Sequence, residues 1–351
     1  MIRLPFGKKK TPGKFWVLDI GPVVPPLSGG LTTLSVVRAL IFSCEEKPRI
    51  IWWGETEEAV PAGRQEENLL KEAKSTLEES PPRQAVVSVP GREAQAQVVK
   101  VRFSRQEPQQ PLSEGELAGF EEKVRQTVLA PLREQWVPLS FKLFGARMDD
   151  LRVTNPLGFK GKKLELSFSS TLASVSILES LEKTVSSLGL RLRNFSLGMA
   201  ALPQVLPQSY PSDLILLEIR RTQTSVGVVF GGELAGITTF LLGAQALGEE
   251  GAPGYWCRAL EEALRSFRQA KAFPPSFLLL GEGAATPQVK EETERYSWQE
   301  ALSFPSPPRV EVLNPKTFAP LLGKIKKELC SPEWAIPLSL GMMECKRHGQ
   351  D

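Results

Sequence analysis

The amino-acid sequence predicts a two-lobed α/β protein in which a small α+β subdomain interrupts the first lobe. Apolar residues recur at helical spacing over residues 177–188, and residues 190–195 then alternate as a strand, an order typical of α/β lobes. Residues 18–20 (Leu-Asp-Ile) and 217–219 (Leu-Glu-Ile) each end an apolar strand that precedes another strand. This internal similarity indicates an ancient duplication, and therefore two lobes of related topology.

The first lobe is predicted to begin as an antiparallel β meander. Residues 15–20, 36–43 and 49–53 are short apolar runs typical of strands. Residues 22–35 are rich in proline and glycine and are predicted to form the loop between the first two strands.

A β-β-α-β-β pattern predicts the inserted subdomain, in which Ser113 and Glu116 form a capping box for a helix. The second lobe is expected to lack most of its own small subdomain, because only one helix fits before residue 277. The predicted division is a basic tail at residues 1–14, a first lobe at residues 15–83 and 173–211 with helices returning to it at residues 316–345, an insert at residues 84–172, and a second lobe at residues 212–315.

One long apolar segment resembles a membrane span in its hydropathy. Residues 225–247 carry a single charged residue, Glu233, within 23 positions. Gly231 and Gly232 precede this residue at the middle of the segment, and such a turn between two apolar runs is typical of a hairpin. We therefore predict a buried β-hairpin and not a membrane helix.

Positive charge is concentrated at the amino terminus. The net charge of the 351 residues is +3, and five basic residues precede the first acidic residue, Asp19, which leaves 38 basic and 40 acidic residues in the remainder. A body without basic excess predicts no nucleic-acid binding. Two interpretations of the tail stay open: weak, salt-sensitive contact with an anionic membrane surface, and a disordered solubilising segment.

The cysteine pattern favours a reducing compartment. Cys44, Cys257, Cys330 and Cys345 are far apart, with no Cys-x-x-Cys pair and with His348 as the only histidine. This spacing predicts neither a zinc site nor a disulfide framework. Because no signal peptide is recognised, we expect a cytoplasmic protein, or one held peripherally at the inner face of the cell membrane.

Three segments carry a resemblance to a known family. Residues 18–21 (Leu-Asp-Ile-Gly) end a strand, residues 280–283 (Leu-Gly-Glu-Gly) form a late glycine loop, and residues 155–161 (Asn-Pro-Leu-Gly-Phe-Lys-Gly) precede a strand of the insert. In their order along the chain, residues 18–21, 155–161 and 280–283 resemble the FtsA family of bacterial cell division proteins, which are actin-like ATPases. The resemblance implies an actin-like (ribonuclease H-like) two-lobed fold with an FtsA-type inserted subdomain.

The resemblance also implies five residues of a nucleotide site, with ATP and Mg²⁺ as cofactors. Asp19 would hold water around a magnesium ion, and Gly21 would let the backbone approach phosphate. Glu218 begins the second phosphate loop, and Gly281 and Gly283 belong to the adenosine loop. No direct metal ligand and no catalytic residue is implied.

Several departures from the family pattern predict degenerate nucleotide binding. Pro22 has no N–H to offer, and the loop after it is much longer than in the family. Arg220 and Arg221 stand where the family has glycines, so their side chains would crowd a backbone that must touch phosphate. The late glycine loop is equally typical of a plain strand-to-helix turn. With no convincing general base, a pseudo-ATPase is expected, although enzymatic activity stays open.

Three functions follow from these observations. The first is an FtsA-like scaffold that recruits or tethers FtsZ and other division proteins, with self-association through the insert. The second is an ATP-binding, actin-like filament protein. The third is a platform like the PilM family of type IV pilus assembly proteins, which bind the peptide tail of a pilus membrane protein. That family shares the architecture and often begins with the Phe-Gly-Lys-Lys-Lys sequence seen at residues 6–10.

Overall fold

The computed structural model describes residues 13–21, 37–44, 47–56, 64–77, 80–132, 135–248, 251–267 and 272–348. Most of the predicted basic tail and the predicted loop at residues 22–35 lie outside these residues. The strands are Lys14–Ile20 (β1), Val37–Ser43 (β2), Arg49–Thr56 (β3), Gln84–Ser88 (β4), Ala94–Ser104 (β5), Trp136–Met148 (β6), Leu151–Val153 (β7), Lys163–Ser174 (β8), Arg191–Ser196 (β9), Leu214–Ile219 (β10), Thr224–Phe230 (β11), Glu233–Phe240 (β12), Ser276–Leu280 (β13) and Arg309–Val312 (β14). The helices are Arg64–Thr76 (α1), Glu114–Leu129 (α2), Val175–Ser187 (α3), Gly198–Val205 (α4), Ala252–Arg265 (α5), Pro287–Arg295 (α6), Trp298–Ala301 (α7), Ala319–Leu322 (α8) and Ala335–His348 (α9).

Two five-stranded sheets have the same strand order. The first runs β3-β2-β1-β4-β9 and the second runs β12-β11-β10-β13-β14. In each sheet the central strand pairs antiparallel with the strand that follows it in the chain and parallel with the sheet's fourth strand. The α/β fold class predicted from the sequence is therefore confirmed. The predicted domain boundaries stay predictions.

The central strands are buried almost completely. Every residue of β10 is buried, and so is every residue of β1 after Lys14. Continuous apolar runs of this kind are typical of strands whose sheet is covered on both faces. The charged residues within these two buried runs are Asp19 and Glu218, and both lie near the carboxyl ends of their strands.

A third sheet comes between β4 and α3 in the chain. Its order is β5-β8-β6-β7, with antiparallel pairing throughout, and α2 packs against it. Ser113 caps α2, because its Oγ accepts a hydrogen bond from the backbone N–H of Glu116 at 3.2 Å. The other half of the predicted capping box is replaced: the Glu116 carboxylate instead accepts hydrogen bonds from buried Arg105 at 2.9 and 2.7 Å.

The apolar segment of residues 225–247 forms the predicted hairpin. β11 and β12 pair antiparallel. Gly231 and Gly232 make the turn with φ angles of 60° and 77°, which glycine adopts without strain. Among the described residues, no helix is both long enough and apolar enough to cross a bilayer.

Helix α9 packs closely against the first sheet. A Cβ atom at Gly341 would overlap the ring of Phe42 on β2, so glycine permits the contact. Beside it, Cys44 and Cys345 form a disulfide with their Cα atoms 5.4 Å apart. The expectation that the cysteines form no disulfide is wrong for this pair. They are separated by 301 residues in sequence, and only the packing of α9 on β2 brings them together.

We expect Gly341→Ala to lower the free energy of unfolding by about 1–3 kcal/mol, because the added methyl group overpacks against Phe42. The matched control is Gly254→Ala in α5, where a new Cβ meets no atom within 4 Å and alanine favours the helix. Denaturant midpoints of both variants check the prediction. Equal stability of the two variants would contradict it.

Candidate functional site

Two buried carboxylates lie at the ends of the central strands of the two large sheets. Asp19 is 1% exposed on β1, and Glu218 is 5% exposed on β10. A carboxylate removed from water is costly unless a charge or hydrogen bonds compensate it. Both carboxylates find this compensation in the same side chain.

That side chain is Arg220, which follows β10 directly. Its Nη2 donates to Asp19 Oδ1 at 2.7 Å, and its Nε donates to Glu218 Oε1 at 2.6 Å. The backbone N–H of Arg220 also donates to the carbonyl of Gln223 at 2.9 Å, which closes the turn into β11. Because Asp19 belongs to the first sheet and Arg220 follows a strand of the second, this ion pair ties the two sheets together.

A second arginine makes a similar connection. Arg38 is 3% exposed and lies opposite Asp19 in the pairing of β1 with β2. Its Nη2 contacts Glu55 Oε1 at 2.6 Å and Glu282 Oε1 at 2.8 Å. Glu282 follows β13, so this contact also joins the two sheets. We call the whole network the arginine clasp: Arg38, Arg220, Asp19, Glu55, Glu218 and Glu282.

Burial governs the electrostatics of the arginine clasp. It raises the pKa of Glu218, and the attraction of Arg220 offsets this only in part. Burial likewise raises the pKa of Glu55 against the attraction of Arg38. Burial lowers the pKa of Arg220, but Asp19 and Glu218 outweigh this effect and hold that pKa above its ordinary value. The guanidinium therefore stays charged, and the shifted pKa values of Glu218 and Glu55 are the source of pH sensitivity.

The late glycine loop packs against the end of β10. Gly281 has a φ angle of 85°, and a Cβ on it would come within 2.5 Å of the Ile219 carbonyl oxygen. Gly283 lies against the Ile219 side chain in the same way. Gly243 covers the backbone of the turn after β10, and Ala244 N donates to the Arg220 carbonyl at 2.8 Å. At these three positions glycine allows close packing within the protein, because a side chain would overlap neighbouring atoms.

The five predicted nucleotide-site residues thus have different surroundings. Arg220 joins Asp19 to Glu218, while Gly281 and Gly283 lie beside Ile219 at the same strand end. Gly21 is buried directly after β1. Their assignment as nucleotide ligands stays a prediction. The geometry does not fit Mg²⁺-ATP well, because an internal cation contacts the carboxylate that the resemblance assigns to hydrated magnesium.

Sequence reasoning missed half of the arginine clasp. Arg38 is the one charged residue of β2, whose residues are all buried. An isolated charge in a buried strand needs a buried partner, and this signal could have identified Arg38 from the sequence. Glu55 and Glu282 carry no comparable signal, because one lies in an exposed-looking strand end and the other in a glycine loop. Glu55 lies opposite Arg38 in the pairing of β3 with β2 within the first sheet, whereas the contact of Glu282 with Arg38 depends on how the two sheets meet.

A separate cavity of about 80 Å³ lies where the inserted sheet meets α4, α9 and the hairpin of β11 and β12. We call it the junction cavity. Glu233 organises its polar side by accepting hydrogen bonds from Lys142 Nζ at 2.6 Å, Ser169 Oγ at 2.9 Å and Gln204 Nε2 at 3.0 Å. Its apolar lining residues include Leu139, Ala200, Leu234 and Met343.

We expect Arg220→Ala to lower the free energy of unfolding by about 3–5 kcal/mol, because it leaves Asp19 and Glu218 buried without their cation. Arg265→Ala is the control. It breaks a half-exposed pair with Glu261 and is expected to cost much less stability, because solvent screens this pair. Denaturant unfolding of both variants at neutral pH checks the prediction, and equal effects would contradict the role of the arginine clasp.

Glu218→Gln is expected to remove one source of pH dependence. Since the folded protein raises the pKa of Glu218, this carboxyl contributes stability below its ordinary pKa of 4.5 and loses it as pH rises through the folded-state pKa. The stability of the unmodified protein should therefore fall relative to Glu218→Gln as pH rises from 4.5 towards neutrality. Urea unfolding of both proteins over this range checks the prediction, which parallel curves would refute.

No protein-family model and no curated protein matches the sequence. Solved structures do match the fold. A chain of the PilM-PilN type IV pilus biogenesis complex aligns with a TM-score of 0.60 at 15% identity, over 93% of this chain and 97% of that one. Ethanolamine utilization protein EutJ from Carboxydothermus hydrogenoformans aligns with a TM-score of 0.46 at 12% identity, over 95% and 90% of the respective chains.

A protein with an actin-like ATPase fold from Bacteroides thetaiotaomicron aligns with a TM-score of 0.38 at 10% identity, over 88% of this chain and 92% of that one. Together with the repeated strand order, the similarity to the pilus complex chain confirms the actin-like fold predicted from the sequence. The PilM alternative is represented among these structures, whereas the resemblance to FtsA in particular gains no support from them.

Proposed function

We propose that the protein is an assembly platform of the PilM kind. It is an actin-like scaffold whose two large sheets are held together by its own arginines, and it binds a segment of a partner protein. The observation that carries this proposal is the buried ion pair of Arg220 with Asp19. A cation that belongs to the chain cannot be released or exchanged as a metal-nucleotide can. A constant binding surface therefore fits this geometry better than a nucleotide-driven filament does.

The inserted sheet offers an open strand edge for such a partner. β6 pairs with β8 along its length, but β7 covers its other edge only from Ala146 to Met148. In the described part of the chain, no strand pairs with the outer edge of residues 136–145. Edges of this kind accept an extended peptide as an additional strand through main-chain hydrogen bonds.

The junction cavity would add specificity to this edge. Leu139 and Lys142 of β6 line the cavity, so a peptide along β6 passes its mouth. The cavity volume of about 80 Å³ suits a single apolar side chain of modest size. Its rim carries both signs of charge, in Lys142, Glu233 and Arg347. We infer an extended partner segment that inserts one apolar side chain and is otherwise held by its backbone.

The partner class is proposed by analogy with the PilM-PilN complex. We favour a type IV pilus assembly protein or a related component. Recruitment of FtsZ, which the FtsA resemblance implies, has no comparable observation behind it, and ATP-dependent filament formation is opposed by the arginine clasp. Both enter the test below as contrasting outcomes.

The test is a calorimetric titration of the full chain with the cytoplasmic peptide tail of a PilN-type protein from the same genome. We expect affinity in about the micromolar range, unchanged by Mg²⁺-ATP, and weakened at least about tenfold by Ala200→Trp, which fills the junction cavity. The control is Ala301→Trp on α7 of the second lobe, which should bind normally.

Thermal midpoints of both variants separate lost binding from lost folding. The proposal fails if the tail does not bind while FtsZ cosediments with the protein, or if Mg²⁺-ATP drives the protein into filaments.

A further inference from the structure

We infer that the Cys44–Cys345 disulfide is a reversible redox tether that controls one wall of the junction cavity. The existence of the tether is independent of the proposed function, and only its effect on partner binding rests on that function. The inference comes from the position of the disulfide relative to the cavity, from the other contacts at the end of α9, and from the unequal exposure of the two cysteine residues.

Cys345 lies within the part of α9 that borders the junction cavity. Met343 and Arg347, two residues to either side, both line the cavity. Between them, Lys346 Nζ donates to the Gln204 carbonyl oxygen at 3.3 Å, and the side chain of Gln204 donates to Glu233. The last turns of α9 therefore form one wall of the cavity and contact its polar side. The disulfide is the covalent link that holds this wall to β2.

A further anchor at this end of the helix is incomplete. Arg193 Nε donates to Glu344 Oε1 at 2.7 Å, and the guanidinium stacks over the Phe15 ring at 4.6 Å from its centroid. However, Nη1 and Nη2 of Arg193 are buried and find no hydrogen-bond partner within the described part of the chain. Helix ends fray readily when few contacts hold them. Loss of the disulfide should therefore loosen the last turn of α9 before it affects the core.

The disulfide is accessible from one side. Cys44 is partly exposed, whereas Cys345 is 6% exposed. A thiolate of a protein dithiol can attack the Cys44 sulfur, so that the S–S bond breaks and Cys345 leaves as a thiolate that takes up a proton. The second thiol of the dithiol then attacks the mixed disulfide and releases Cys44 as a thiol. Two electrons and two protons pass to the protein, and the dithiol becomes a disulfide.

The test compares the oxidised full chain with the chain equilibrated in dithiothreitol under native conditions. Thiol labelling counts the free cysteines, and hydrogen exchange with mass spectrometry follows α9. We expect dithiothreitol to release two thiols without denaturant, and exchange in residues 342–348 to rise about tenfold, while β10 stays unchanged as the internal reference. Cys345→Ser should show the fast exchange with or without dithiothreitol. Cys330→Ser, which removes a free cysteine, should behave like the unmodified protein.

Three outcomes would overturn the inference: a disulfide reduced only in denaturant, unchanged exchange in α9 after reduction, or an increase shared equally by β10. The peptide tail used above is then titrated into both redox forms, and we expect weaker binding to the reduced form. Equal affinity of the oxidised and reduced forms for the tail would contradict the inference that the disulfide controls the cavity. If exchange responds as expected but the tail binds neither form, the tether stands and the proposed function fails.

Discussion

The ion pair of Arg220 with Asp19 and Glu218 is the interaction on which the arrangement of the two large sheets depends. All three side chains are buried, so removing one member strands charge in a medium of low polarizability. Removing any one of the three side chains is therefore expected to destabilise the other two. The geometry of the network requires the ends of β1 and β10 to meet. At the same end of β10, Gly281 and Gly283 pack against Ile219, because β13 pairs with β10 in the second sheet.

The same constraint changes what an actin-like fold can do. A cleft between two lobes can switch between open and closed states when the cation bound in it can be released and bound again. Here the cation is a side chain, and Arg38 adds a second link through Glu282. The two sheets are thus joined by side chains of the chain itself. The inserted sheet, with its open edge on β6 and the junction cavity beside it, is the surface that we propose for a partner.

Two further connections attach the inserted sheet and the walls of the junction cavity to the two large sheets. Glu233, at the hairpin of the second sheet, accepts hydrogen bonds from Lys142 and Ser169 of the inserted sheet and from Gln204 of α4. On the opposite wall, α9 is fixed to the first sheet by Gly341 on Phe42 and by the disulfide of Cys345. The cavity therefore borders three parts of the molecule at once, and we infer that a local change at the end of α9 alters its shape.

The sequence by itself determined the secondary structure, the duplication and the glycine-made turns, because these depend on local periodicity and on backbone freedom that neighbouring residues encode. The strand with Asp19 near its end, its counterpart with Glu218 near its end and the hairpin at Gly231 could all be predicted in this way. Only the tertiary structure decided that Arg220 faces Asp19, that Arg38 bridges Glu55 and Glu282, and that Cys44 meets Cys345. Arg220 with Asp19, Arg38 with Glu282 and Cys44 with Cys345 are far apart in the chain, so their contacts arise from packing, which no local pattern contains. Arg38 and Glu55 are partners on neighbouring strands of the first sheet.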